Sequence, residues 1–190
     1  CAGDMEPRNL PKALKHIGMP FSFRRLLLQS LRRLQRGFVL AAFGLKGINM
    51  TILSDILKNL GYELPAVSPP AANYVPYVVT GNLVFIAGQL PFLNGQKMHI
   101  GRIGGDLSVD QGIEAARACA LNILAQANAA VDGDWRRISR CLKLGGFVSC
   151  TPDFTDHPKV INGASDLIAA VMGETGKHAR FAVGAPSLPF

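Results

Sequence analysis

Two stretches of this chain carry apolar residues along one side of a helix, and no other feature limits the fold as much. In the first, Ile113, Ala116, Ala120, Ile123, Leu124, Ala127 and Val131 recur at helical spacing. In the second, Val160, Ile161, Ala164, Leu167, Ile168 and Val171 do the same. A helix with one apolar side must bury it against another layer. A strand pattern over 138–150 separates the two stretches, and a shorter one over 178–184 follows them. Two β-rich runs, 74–80 and 83–90, come first and flank Gly81-Asn82, the turn chemistry of a hairpin. The order hairpin, helix, strand, helix, strand predicts an α+β fold, a single mixed sheet with both helices on one face.

Local signals sharpen the boundaries. Ser108-Val-Asp-Gln111 is a capping box that opens the first long helix, and Asp132-Gly133-Asp134 closes it. The second starts near Asp156 and Pro158, with proline in the first turn, and stops at Gly173 or Gly176. An earlier short helix is expected from Ile52, Leu53, Ile56, Leu57 and Leu60, capped by Thr51 or Ser54 and stopped by Gly61. Three prolines in 62–73 predict an extended linker. Gly145-Gly146 predicts a bulge or a close backbone approach in the strand that holds it. Gly95, Gly101, Gly104 and Gly105 lack the Lys-Ser/Thr ending of a phosphate loop. They predict a loop that crosses a sheet edge.

Charge divides the chain in two. Residues 1–49 hold nine Lys/Arg against two Asp/Glu, whereas 50–190 hold eleven of each. The whole excess of +7 therefore lies in the first quarter, and the balanced remainder argues against phosphate-backbone binding. No acidic residue occurs from 7 to 54. There Phe23, Leu26, Leu27, Leu31, Leu34 and Phe38 recur at helical spacing among arginines. Three readings fit: an upstream extension outside the domain, an organellar targeting helix, or a basic helix for a membrane surface or partner. We expect a basic N-terminal extension over 1–49 and a domain over 50–190. The protein is then cytoplasmic, or mitochondrial if 19–49 act as a transit peptide. Deleting 1–49 should leave thermal melting unchanged. A loss above about 2 kcal/mol would show that the segment packs on the domain.

No run of 18 apolar residues occurs, so no membrane-spanning helix is expected. Cys1, Cys119, Cys141 and Cys150 form no C-x-x-C pair and read as free, buried thiols. His16, His99, His157 and His178 show no metal-ligand spacing, so no metal is expected. Ser108, Ser149 and Ser165 lack the context of a hydrolytic nucleophile, and Asp153 and Asp156 read as caps of the helix they precede. Alternation along 179–183 places Ala179, Phe181 and Val183 on one face of a strand and Arg180 and Ala182 on the other. Removing Arg180 should therefore open no core cavity. A charge in this apolar run must reach solvent, a carboxylate or a ligand.

Several ordered motifs over about residues 62–190 resemble one family. They are Pro70-Ala-Ala-Asn-Tyr-Val75, Gly81-Asn-Leu-Val-Phe-Ile-Ala-Gly-Gln-Leu-Pro91, Asp153-Phe-Thr-Asp156, Lys159-Val-Ile-Asn-Gly-Ala-Ser-Asp166 and His178-Ala-Arg-Phe-Ala-Val183. Together they are similar to the YjgF/RidA family, also called endoribonuclease L-PSP. The resemblance implies a chorismate-mutase-like fold and a homotrimer with active sites between subunits. It implies a deaminase that hydrolyses 2-imino acids to 2-keto acids and ammonia, without metal or cofactor. Arg180 matches the arginine that holds the substrate carboxylate, Tyr74 a tyrosine that lines the cleft, and Gly88 a backbone position beside the substrate. An RNA-directed or non-catalytic ligand-binding role is the alternative. Ala87 stands where many members have serine and Ala182 where many have cysteine, as in a divergent subgroup. The family's last strand, with its water-orienting glutamate, follows the Leu-Pro near 189 and is expected to be missing here.

Overall fold

A computed structural model of the chain describes residues 46–67 and 73–189. The basic helical pattern over 23–38 and the motif residues 70–72 lie outside them. Among the described residues the elements run α1 (Lys46–Asn59), β1 (Tyr77–Thr80), β2 (Leu83–Ile86), β3 (Phe92–Leu93) and β4 (Gln96–Lys97). They continue with α2 (Val109–Ala130), β5 (Lys143–Ser149), α3 (His157–Met172) and β6 (Ala179–Ala185). Among the described residues no helix is long and apolar enough to cross a membrane.

Helix α1 starts at Lys46, so Thr51 and Ser54 lie inside it and neither caps it. The apolar spacing located the helix, but its first turn has no side-chain signal to mark it. Leu53 and Leu57 are fully buried, and Gly61 just beyond the helix takes the left-handed φ of 81°.

Both long helices follow the expected boundaries. Ser108 accepts from the Gln111 amide while the Gln111 side chain accepts from the Ser108 amide, which completes the capping box of α2. Asp132 and Gly133 turn the chain out of α2 with φ of 54° and 81°. Helix α3 has Pro158 in its first turn and Gly173 at its end, with φ 62°. Asp156 stands at the N-cap of α3, but its side chain makes no capping bond. Asp153, expected as a cap too, accepts from the Thr151 hydroxyl instead. That bond holds its carboxyl below the usual range.

The two helices pack directly on each other. Gly163 of α3 lies against the backbone of Ile113 in α2, and Gly112 against Ile103 and Val160. Alanines 116, 120 and 164 complete a contact lined by small residues. Beneath lie Leu121, Leu124, Leu144, Val148, Leu167 and Ile168, all buried in one core.

The α+β class is as expected, but the strands do not form a single hydrogen-bonded sheet. Three separate ladders occur among the described residues: β1–β2 antiparallel, β3–β4 antiparallel and β5–β6 parallel. One-sided helices require a surface to rest on, and two ladders supply it. Helix α2 packs on β1 and β2, and α3 on β5 and β6. The β5–β6 register runs unbroken from Lys143↔Ala179 to Ser149↔Ala185, so Gly145-Gly146 forms no bulge. It gives close approach on both faces: Phe181 covers Gly145, and Ile161 covers Gly146. The glycine-rich loop crosses a strand end, where Ile103 donates to the Ser149 carbonyl (2.9 Å) and accepts from the Thr151 amide (2.9 Å).

The three described cysteines are free. Burial pushes the Cys119 thiol up to about 12 from an ordinary 9.0. Below pH 9 both the folded and unfolded chains keep this proton. Between 9 and 12 only the folded chain does, so this contribution to stability falls as pH rises. Melting temperatures at pH 8 and pH 10.5 should therefore drop more for the wild-type chain than for Cys119→Ala. Equal drops would remove Cys119 as the cause.

Candidate active site

Strand β6 alternates as expected, but the face toward the helices is the one that bears Arg180. Ala182, two residues on, packs against the core. Phe181 and Val183 point outward and are exposed, beside an exposed Phe147. The apolar residues thus mark the outer surface of the β5–β6 ladder. Phe181 and Phe147 meet edge to face, with centroids 5.5 Å apart.

Arg180 reaches α3 at the helix's polar margin. Its Nη1 donates to Asn162 Oδ1 at 2.8 Å and to Ser165 Oγ at 3.1 Å. Asn162 and Ser165 are three residues apart and share one side of α3. The two N–H groups of Nη1 are thus both used. Nε and Nη2, which form the side-on fork of the guanidinium, make no hydrogen bond among the described residues. Arg180 as a whole is exposed.

His178 extends the network. Its Nδ1 lies 2.6 Å from the Gly176 carbonyl oxygen, and its Nε2 lies 3.1 Å from Ser165 Oγ. A carbonyl only accepts, so Nδ1 carries the proton, and in the neutral ring Nε2 accepts from the Ser165 hydroxyl. Hydrogen bonds therefore run continuously from Gly176 through His178 and Ser165 to Arg180.

Tyr74 and Gly88 flank the open end of the β1–β2 hairpin, where the Ala87 amide donates to the Pro76 carbonyl at 2.9 Å. Both are exposed. No hydrogen bond or ring contact joins either to Arg180 among the described residues of one chain. The network around Arg180 was not foreseen. Its signal was available, since polar residues at i and i+3 of α3 face His178, just before β6, and Arg180, two residues on.

A second unforeseen pair lies at the other end of the β5–β6 ladder. Cys150 Sγ is 3.4 Å from His157 Nε2, and the His157 ring stands edge to face with Phe154 at 5.4 Å. A Cβ at Gly184 would come within 2.6 Å of His157 Nε2 and 2.9 Å of Cys150 Sγ, so the pair packs directly on that glycine. No group of three or more His, Cys, Asp or Glu capable of holding a metal occurs among the described residues.

Residues 54–190 match the profile of a protein family described as "YjgF/chorismate_mutase-like, putative endoribonuclease". Protein TCP17 of Trypanosoma cruzi is 48% identical over 135 residues, which cover 70% of this chain and 84% of that protein. The crystal structure of Atu1372 from Agrobacterium tumefaciens, a protein of unknown function, is similar with a TM-score of 0.70 and 48% identity. The match covers 75% of this chain and 87% of that one. A Shewanella oneidensis MR-1 structure described as a "putative endoribonuclease" is similar with a TM-score of 0.69 and 35% identity. It covers 72% of this chain and 90% of that one.

Proposed function

We propose that this chain, which belongs to the YjgF/chorismate-mutase-like family, hydrolyses 2-imino acids to 2-keto acids and ammonia. The observation that carries this reading is the state of Arg180. One guanidinium nitrogen is tied to α3, and the side-on Nε–Nη2 fork of this exposed residue has no hydrogen-bond partner among the described residues. A planar fork matches a carboxylate through two parallel charge-assisted hydrogen bonds. With the carboxylate held, a water adds to the adjacent iminium carbon, and the resulting carbinolamine expels the nitrogen as ammonia. The overall change is iminium plus water to ketone plus ammonium, with no electron transfer. The chain's part in it is to orient the substrate.

Tyr74 and Gly88 complete the site in this reading when they come from a second subunit against Arg180 of the first. Apolar outward residues support assembly: Val78 and Phe85 on the hairpin, and Phe147, Phe181 and Val183 on the β5–β6 ladder. Light scattering on the full chain should give three times the monomer mass, and a stable monomer would exclude a shared site. The direct test generates imino acids with an amino-acid oxidase and traps what remains with semicarbazide. The chain should lower the trapped amount, and chelators should not change its effect. A trapped amount equal to the enzyme-free control would rule this activity out.

RNA cleavage is the second reading, because the family description and that of the Shewanella protein both carry the word endoribonuclease. The balanced charge of residues 50–190 counts against it. Cleavage of single-stranded RNA, lost in Arg180→Ala, together with no effect on imines, would favour it.

A further inference from the structure

We propose that His178, Ser165 and Asn162 act as positioning residues, a hydrogen-bonded relay that sets the guanidinium of Arg180 before substrate arrives. This rests on the reading of Arg180 as the carboxylate grip.

An exposed arginine on its own samples many rotamers, and binding must then remove that freedom. Here the freedom is removed in advance. Asn162 and Ser165 sit one turn apart on α3, a helix whose opposite side is buried from Val160 to Val171. They are therefore fixed to a rigid element, and both accept from the same nitrogen, Nη1. That choice decides which part of the guanidinium remains for a ligand. Ser165 has a rotatable hydroxyl, and His178 settles its direction. Nδ1 is committed to the Gly176 carbonyl, so Nε2 takes the serine proton and leaves serine lone pairs for Arg180. His178 touches no part of a ligand in this arrangement. It acts on Arg180 through Ser165.

Pyruvate serves as the probe, with the uncharged pyruvamide as its control, and binding is measured by calorimetry on the full chain. Ser165→Ala, Asn162→Ala and His178→Ala should each weaken pyruvate roughly tenfold, the effect of losing a hydrogen bond to a charged group. Pyruvamide binding should stay unchanged. His178→Gln, whose amide oxygen can accept the serine proton, should retain near wild-type affinity. The double variant Ser165→Ala/His178→Ala should be no worse than either single one, because the two act in series. In imine turnover KM should rise while kcat holds, the pattern of lost ground-state positioning. Asn162 and Arg180 are exposed, so their variants fold whatever becomes of the others.

The outcomes separate the two claims. Suppose Arg180→Ala loses pyruvate while Asn162→Ala, Ser165→Ala and His178→Ala bind it normally. The relay is then overturned and the carboxylate reading stands. Additive losses in the double variant also overturn it. If the wild-type chain does not bind pyruvate, or Arg180→Ala binds it equally well, the carboxylate reading fails and the relay falls with it.

Discussion

Arg180→Ala should lower kcat/KM for 2-imino acid hydrolysis more than a hundredfold and leave the fold intact. If Arg180 grips the substrate carboxylate as proposed, truncation removes a charge-assisted bidentate contact of order 3 kcal/mol. The structural cost is small because of what remains. The abandoned acceptors are Asn162, which is exposed, and Ser165, which keeps its bond to His178. Water can replace the lost donor, so the change in stability should stay within about 1 kcal/mol. Arg180→Lys should recover only part of the rate. An ammonium can satisfy Asn162 and Ser165 or meet a carboxylate, but it has no second, parallel donor pair. Rates of imine loss by semicarbazide trapping decide the matter. Equal rates for wild type and Arg180→Ala, both above the spontaneous one, would remove Arg180 from the chemistry.

The largest effect on stability should come from Gly163→Ala. A Cβ at this position would overlap the carbonyl oxygen of Ile113 and lie 2.9 Å from the carbonyl carbon. Both atoms are helical backbone and cannot swing aside as a side chain can. Helices α2 and α3 would have to separate, and this would loosen the core that both share. Overpacking of this kind costs about 3 kcal/mol at the upper end of its usual range, or roughly 6–12 °C in melting temperature for a domain of this size. Gly105→Ala is the matched control. Its Cβ would meet its nearest neighbours at 3.4 and 3.7 Å, ordinary contact distances, and its effect should stay within about 0.5 kcal/mol. Urea unfolding of both variants makes the comparison. A Gly163→Ala chain as stable as the wild type would mean that the helices can part freely.

The long helices were legible because their signals are redundant. A capping box, a one-sided apolar pattern and a glycine stop agree for α2, and each lies within one turn of the residues it governs. Strand faces were harder to read. Alternation correctly separated Phe181 and Val183 from Arg180, but it carries no sign, and here the helix side holds the arginine. On the helix-facing side of the ladder β5 supplies the bulky apolar residues, Leu144 and Val148, while β6 supplies Arg180, Ala182 and Gly184. Where α3 comes closest the residues are small: Gly146 lies under Ile161 and Gly184 under His157. The bulky apolar residues of β6 itself, Phe181 and Val183, lie on the outer face. The β3–β4 hairpin was missed although Asn94-Gly95 has the positive φ values, 52° and 78°, of a tight hairpin turn. Two residues on each side are too few to show alternation. Arg180 was selected by resemblance, since its pattern alone reads as an ordinary edge-strand arginine. Asn162, Ser165 and His178 were missed because their meaning depends on a contact between two elements.

The parallel pairing of β5 and β6 has a consequence for how the site comes into being. A parallel pair needs a crossover, and α3 is that crossover. The groups around Arg180 thus lie on the crossover and at the entry to the strand that follows it, only 18, 15 and 13 residues apart along the bonds that join them. Closing such short loops is fast, and the entropy lost in doing so is modest. The guanidinium socket therefore assembles from one short contiguous segment. Among the described residues, neither the hairpin nor the glycine-rich loop contributes a hydrogen bond to it; every partner lies between Asn162 and Arg180.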